Sequence, residues 1–416
     1  MPFRAIALTI AAALLALAPA SPAFAVSRSA VESRFHTWLA SDLWPQARRD
    51  GISERTFKQA FDGISLDWSL SDLVPPGTQP PKQRPQSQAE FRSPGAYFSQ
   101  ARLAALAATG RSLQAKWSGT LSRIEAKYGV PGRILLAIWG RETGFGAAAI
   151  PDSAFRVLAT KAFMSGRKDL FRSELLAALT IVQHGYASPS IMKGSAAGAM
   201  GQPQFMPSSY LKYAVDFDGD GHPNIWTSVP DTLASIANFL VKSGWQRGRD
   251  WGFEVTIPAS VSCAQEGPDR ARSIAKWRDE GIRRVAGRDF SRSQFGEDAM
   301  MLVPAGTDGP EFLVTPNFYV LKQYNNSDLY ALFIGNLADR IAYGSGDFVG
   351  HWGDVGHMLR SDVAGIQRAL QAKGYDVGGA DGLPGYKTRR SIGEWQQKAG
   401  LRPTCFPDPS LSSRLR

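Results

Sequence analysis

A chain of 416 residues, 44% of them apolar, has the material for more than one buried core. Its formal charge of +10 favours an anionic partner such as a wall polymer, a membrane surface or nucleic acid, although no nucleic-acid recognition motif is present. The five histidines lack zinc-ligand spacing and no serine lies in a G-x-S-x-G elbow, which removes two common hydrolase classes.

Residues 1–25 read as an export signal, with Arg4 as the positive region, Ala5 to Ala18 as the apolar stretch and Ala23-Phe24-Ala25 as the cleavage site. The apolar run is too short for stable membrane insertion, and no cysteine near the cleavage site marks a lipid anchor. A periplasmic location follows, and export argues against nucleic acid. In such an oxidising compartment Cys263 and Cys405 can form one disulfide or remain two free thiols.

Helices are predicted over residues 32 to 61, with Phe35, Trp38 and Leu39 on one face. Residues 75 to 94 carry six prolines and read as an extended loop. Helical patterns resume at 97 to 128, and Pro131 suits the first position of the next helix. Leu135, Ile138, Trp139 and Glu142 share one face of that helix, at i, i+3, i+4 and i+7. A carboxyl on an apolar face is desolvated, which raises its pKa toward the range a general acid needs. The plainer reading is a carboxylate paired with a neighbouring arginine. Gly144 and Gly146 end the helix and allow a bulky ligand near the backbone.

A further helix is predicted from Asp169 to His184, then a close-packed Gly/Ala-rich loop from Gly194 to Met206. Asp231 is placed as the cap of a helix whose apolar face is Leu233, Ile236, Ala237, Leu240 and Val241. Short strands are predicted at 253–257, 299–303 and 312–314. Helix returns at Leu329 to Ala342. A glycine-rich linker at 346–354 then separates residues 26–345 from a small helical module at 355–416.

Several ordered motifs within residues 30 to 345 resemble the lytic murein transglycosylase B family. They are Gly129-Val-Pro131, Arg141-Glu-Thr-Gly-Phe-Gly146, Lys193-Gly-Ser-Ala-Ala-Gly-Ala-Met-Gly201, Gln204-Phe-Met-Pro-Ser-Ser-Tyr210, Asp216-Phe-Asp-Gly-Asp-Gly221 and Tyr324-Asn-Asn-Ser327. Residues 355 to 416 resemble a peptidoglycan-binding module through Val363, Gln367, Leu370, Gly374-Tyr375, Asp381-Gly382, Gly385, Thr388 and Trp395-Gln396. The resemblance implies a mainly helical α+β, lysozyme-like domain with a small strand-containing subdomain. The implied reaction cleaves the MurNAc–GlcNAc bond of peptidoglycan without water. Glu142 would act first as acid and then as base on the C6 hydroxyl of the muramoyl residue, closing a 1,6-anhydro ring. Most glycosidases need a second carboxylate; an intramolecular nucleophile removes that need.

The same resemblance implies that Ser195, Gln204, Asn325 and Tyr330 contact substrate or acid, and that Phe239 stands where relatives carry tyrosine. Phe145 and Phe205 are candidates for a sugar-stacking groove wall, whereas Trp139 is read as core. Asp216, Asp218 and Asp220 alternate like the start of an EF-hand loop, with His222 contributing its carbonyl. Thr227 at the twelfth position cannot be bidentate, and the resemblance suggests Asp231 instead. No cofactor is needed for the chemistry, and any calcium is structural. The expected partner is peptidoglycan and the expected state a monomer. The rival readings are a hydrolytic muramidase and a non-catalytic wall-binding scaffold.

Overall fold

The computed structural model describes residues 27–79, 94–354 and 358–415. The expected signal at 1–25 and most of the proline-rich loop lie outside them. Among the described residues, no helix is long and apolar enough to cross a membrane.

Helices dominate the N-terminal three-quarters. The first, Arg28–Trp38, runs through a π-helical turn at Leu39–Leu43 into Trp44–Arg49. Val31, Phe35, Leu39, Leu43 and Ala47 are all buried. A strict four-residue spacing drifts around a 3.6-residue helix, and the wider π turn brings the stripe back toward the core. The helix Gly132–Thr143 is the centre of the fold. Every residue from Gly132 to Gly140 is buried, so this helix is enclosed all round rather than amphipathic. Pro131 occupies the N-cap, one residue earlier than predicted. Gly144 ends the helix in the left-handed conformation, returning its N–H to the Gly140 carbonyl. Gln100–Lys116 and Asp328–Tyr343 pack along this central helix and each other. A Cβ on Gly110 would stand 2.6 Å from Ile341 Cδ1, so the outer two helices meet only because that residue is glycine.

A five-stranded antiparallel sheet follows, in the order Arg272–Ser273, Asp298–Leu302, Glu311–Val314, Gly252–Thr256, Arg283–Arg284. The three predicted strands are present to within a residue, while the two-residue edge strands were too short to show a period. Phe253 lies opposite Leu313, which lies opposite Met301. These side chains pack with Ile274 and Trp277 on one face, whereas Met300, Leu302, Phe312 and Val314 face the helical core. Burial on both faces explains the unbroken apolar run from Ala299 to Val303.

The C-terminal module consists of Arg360–Ala372, Tyr386–Lys398 and Pro409–Arg414 around Val363, Ile366, Leu370, Val377, Ile392 and Leu411. It is docked firmly. Cys263 of the sheet region and Cys405 form a disulfide, and Cys405 belongs to the core beneath the sheet. Arg389 pairs with Glu266, and Arg390 with Asp269. The stretch at 346–354, expected as a linker, runs as a packed strap. The Trp352 ring stacks on Phe98 at 5.1 Å, and Phe348 meets Phe312 edge-on at 5.0 Å. Glu254 accepts the N–H groups of Val349 and Gly350. The strap's glycines serve close approach: a Cβ on Gly350 would lie 2.9 Å from Pro310 Cα.

The disulfide closes a loop across 142 residues of sequence. Replacing both cysteines by serine is expected to lower stability by about 2–4 kcal/mol, read as a lower urea midpoint under non-reducing conditions. An unchanged midpoint would mean that the charged seam alone holds the module.

Candidate active site

Glu142 lies in the last turn of the central helix, where the chain turns out at Gly144. Its carboxylate Oε1 accepts the Tyr330 hydroxyl at 2.5 Å. Burial pushes its pKa up, and the Tyr330 hydrogen bond and the Arg141 charge pull against that without overcoming it. Arg141 does not pair with it: the guanidinium lies over Tyr97 and Phe333 and donates to the Tyr97 hydroxyl. The arginine-paired reading of this acid is therefore not what the fold builds.

Tyr330 is fully buried in the first turn of Asp328–Tyr343, and Ser327 caps that helix by accepting the Tyr330 N–H. Tyr324 ends the preceding helix, Pro316–Tyr324. Its ring lies parallel to Tyr330 at 6.4 Å, and its hydroxyl donates to the Pro203 carbonyl. Burial and the nearby Glu142 charge hold both phenols well above the usual tyrosine range, so both remain protonated donors.

The other predicted residues separate into two sets. Ser195 forms a tight turn, in which its N–H donates to Ala199 O and its carbonyl accepts from Gly198 N–H. Gln204 has a left-handed φ of 55° and donates its side-chain amide to Gly201 O. Asn325 is exposed at the corner between the Tyr324 and Tyr330 helices. One aromatic assignment is corrected. Phe205 is 3% exposed and packs with Tyr213, Phe239 and Tyr324, so it backs the site from within the core. Phe145, at φ 64°, turns its ring edge-on to Trp139 at 5.5 Å and over Gly140, where a Cβ would stand 2.6 Å from its Cζ. Phe239, placed where a tyrosine was expected, contacts Tyr324 and Tyr213, each at 4.8 Å.

Gln202 and Tyr324 were not singled out from sequence. Gln202 accepts from Trp139 Nε1 at 2.8 Å and donates to Trp226 O at 3.0 Å, and its own carbonyl accepts from Thr143 Oγ1 at 2.9 Å. It ties the end of the Glu142 helix to the loop after the aspartates. Its signal was available: an amide among glycines and apolar residues is costly unless satisfied. Glu174 is buried and accepts both the N–H and the hydroxyl of Ser208.

Asp216, Asp218, Asp220 and Asp231 place one carboxylate oxygen each within 4.8 Å of one another. Calcium binds oxygens at about 2.3–2.6 Å, so ligands across the ion are at most roughly 5 Å apart, and the set fits. His222 is exposed, its backbone N–H donates to Asp220 Oδ1, and its ring is not part of the four-carboxylate cluster, so its contribution to a metal would be its carbonyl. Asp231 is not the helix cap. Ser228 caps Val229–Lys242, and Asp231 is fully buried, accepting the N–H groups of Phe217, Asp218 and Asn224.

A family model for the transglycosylase SLT domain matches residues 34–339, and one for a peptidoglycan binding domain matches residues 360–415. The chain is 33% identical over 230 residues to the membrane-bound lytic murein transglycosylase B of Escherichia coli K12, covering 55% of this chain and 61% of that protein. The chain thus spans about three-fifths of the length of that relative. The crystal structure of SltB3 from Pseudomonas aeruginosa in complex with NAG-anhNAM-pentapeptide superposes with a TM-score of 0.81 at 37% identity, covering 92% of this chain and 99% of that one. The Escherichia coli lytic transglycosylase Slt35 in complex with calcium matches with a TM-score of 0.57 at 26% identity, covering 75% of this chain and 94% of that one.

A carboxyl whose folded-state pKa is raised costs nothing below the ordinary glutamate pKa and costs increasingly as pH climbs to the raised value. Glu142→Gln is therefore expected to raise the melting temperature at neutral pH, with the gain vanishing below about pH 4. Calorimetry across that range checks it, and a variant less stable at neutral pH would contradict the burial argument.

Proposed function

The chain belongs to the transglycosylase SLT family, and from that premise we propose that it is an exported, periplasmic lytic murein transglycosylase. Its reaction cleaves the glycan bond after MurNAc and leaves a 1,6-anhydro end. The observation that carries this reading is one carboxyl pushed toward its protonated form by burial and held by a tyrosine hydroxyl, Glu142 with Tyr330.

In the proposed sequence Glu142, protonated, gives its proton to the leaving glycosidic oxygen. The carboxylate so formed then takes the proton of the muramoyl C6 hydroxyl, whose oxygen attacks C1. Protons balance, and the acid is restored for the next turnover. Burial favours the protonated form of Glu142 that the first step needs, and Tyr330 stabilises the carboxylate between steps. Ser195, Gln204 and Asn325 are assigned to the sugar-binding surface by their positions around this acid in the sequence motifs. The module at 360–415 is assigned to the wall polymer, which the positive charge also favours. Asp216, Asp218, Asp220 and Asp231, with the His222 carbonyl, are assigned to a structural calcium ion. Slt35 is a calcium complex in its crystal structure, and no chemical step here requires the metal.

Mass spectrometry of purified peptidoglycan treated with the mature protein should give anhydro-muropeptides, and Glu142→Gln should give none. Reducing-end products would make the enzyme a hydrolase, and no products would leave a wall-binding scaffold. Tyr330→Phe removes a hydrogen bond to the ionised form, worth about 1.5–3 kcal/mol, and so raises the Glu142 pKa further. The basic limb of the kcat profile should move to higher pH in that variant, while kcat at its optimum falls about tenfold. Millimolar calcium should raise the melting temperature, and Asp231→Asn should abolish that increment. A calcium-independent transition would remove the metal assignment.

A further inference from the structure

The corner that presents Tyr324 and Tyr330 to Glu142 is clamped by charge, and part of the clamp comes from the C-terminal module. Lys322 Nζ, on the Tyr324 helix, donates to Asp328 Oδ1 at 2.6 Å, closing the turn at Asn325–Ser327. Arg389 Nη2, on the module helix Tyr386–Lys398, donates to Asp328 Oδ2 at 2.8 Å. The same guanidinium grips Glu266, with Nε 2.9 Å from Oε2 and Nη2 2.6 Å from Oε1. Glu266 has no exposed surface, and its Oε1 also accepts the Val303 N–H.

Two carboxylates and two cations balance only when all four are present. A buried pair that loses one partner leaves the other charge uncompensated, which costs far more than the intact pair contributes. Packing does not fix the corner alone, because a cavity of about 270 Å³ lies along this seam, lined in part by Asn326, Ser327, Asp328, Tyr386 and Arg389. Asp328 begins the helix, and its neighbour Ser327 caps the Tyr330 N–H. A shift of Asp328 therefore reaches the Tyr330 hydroxyl through one turn of helix.

We propose that Arg389 is a positioning residue for the acid: through Asp328 it sets the corner carrying Tyr330 and Tyr324, so the C-terminal module completes the active site as well as engaging the wall. This inference rests on the assignment of Glu142 as the acid. The groups that bear on Glu142 are Tyr330 and Arg141, with Tyr324 close enough to feel its charge. A displaced Tyr330 therefore registers in the pH profile of turnover.

The test uses full-length oxidised enzyme: wild type, Asp328→Asn, Arg389→Met and Arg389→Lys. Anhydro-product formation by wild type, measured first, tests the functional reading separately. Asp328→Asn keeps the Arg389–Glu266 pair and is the deciding variant if Arg389→Met fails to fold. The expected result is kcat on soluble glycan strands lowered about tenfold in Asp328→Asn and Arg389→Met. KM and co-sedimentation with sacculi should stay within about twofold, and the basic limb of the kcat profile should move up as it does in Tyr330→Phe. Arg389→Lys should recover part of the loss. A rise in KM or loss of sedimentation with kcat unchanged would reduce the module to an anchor and overturn the proposal. So would a fall in kcat with the pH profile unmoved.

Discussion

The bond from the Tyr330 hydroxyl to Glu142 joins the two helices on which the candidate site depends, and the carboxyl it reaches is largely withdrawn from water. Left in water, a glutamate is ionised near neutral pH and cannot serve as an acid. Enclosing the helix Gly132–Thr143 as far as Gly140, with Glu142 itself only partly exposed, shifts that balance, since desolvation outweighs both the tyrosine and the arginine beside it. The tyrosine then limits how far the shift goes. One group thus carries opposing influences whose difference sets its readiness to give and retake a proton.

Much of the surrounding architecture can be understood as holding that pair in register. Gln202 connects the Glu142 helix to the loop beyond the aspartates, through Trp139, Thr143 and Trp226. Asp231 organises that loop by accepting three backbone N–H groups from inside the core. On the opposite side, Phe205 and Phe239 support Tyr324, whose ring backs Tyr330.

The C-terminal module is likewise part of the framework. A glycine-rich connection suggests a tether whose only effect is local concentration. Here the connection is packed through Phe348 and Trp352, and the module is held by a disulfide and by an arginine that reaches both Glu266 and Asp328. A tethered module would leave such charges in water; their burial shows that docking is built into the fold.

The sequence by itself determined the mainly helical α+β class, the three main strands, the placing of Glu142 at the end of an apolar helix and the aspartate loop, while Tyr330 entered through the family resemblance. Those features are written in short-range terms: apolar spacing, turn residues and ordered motifs act through neighbours in the chain. It misplaced Phe205 as groove wall and Asp231 as a cap, and it did not show that residues 346–354 are packed, because glycine-rich stretches encode close approach and free turns alike. It was silent on Gln202, on the π turn and on Arg389 beside Asp328. Pairing across 61 residues, or 123 to Glu266, leaves no period or motif. Only the tertiary structure decided those contacts, because burial is a property of what the rest of the chain brings alongside.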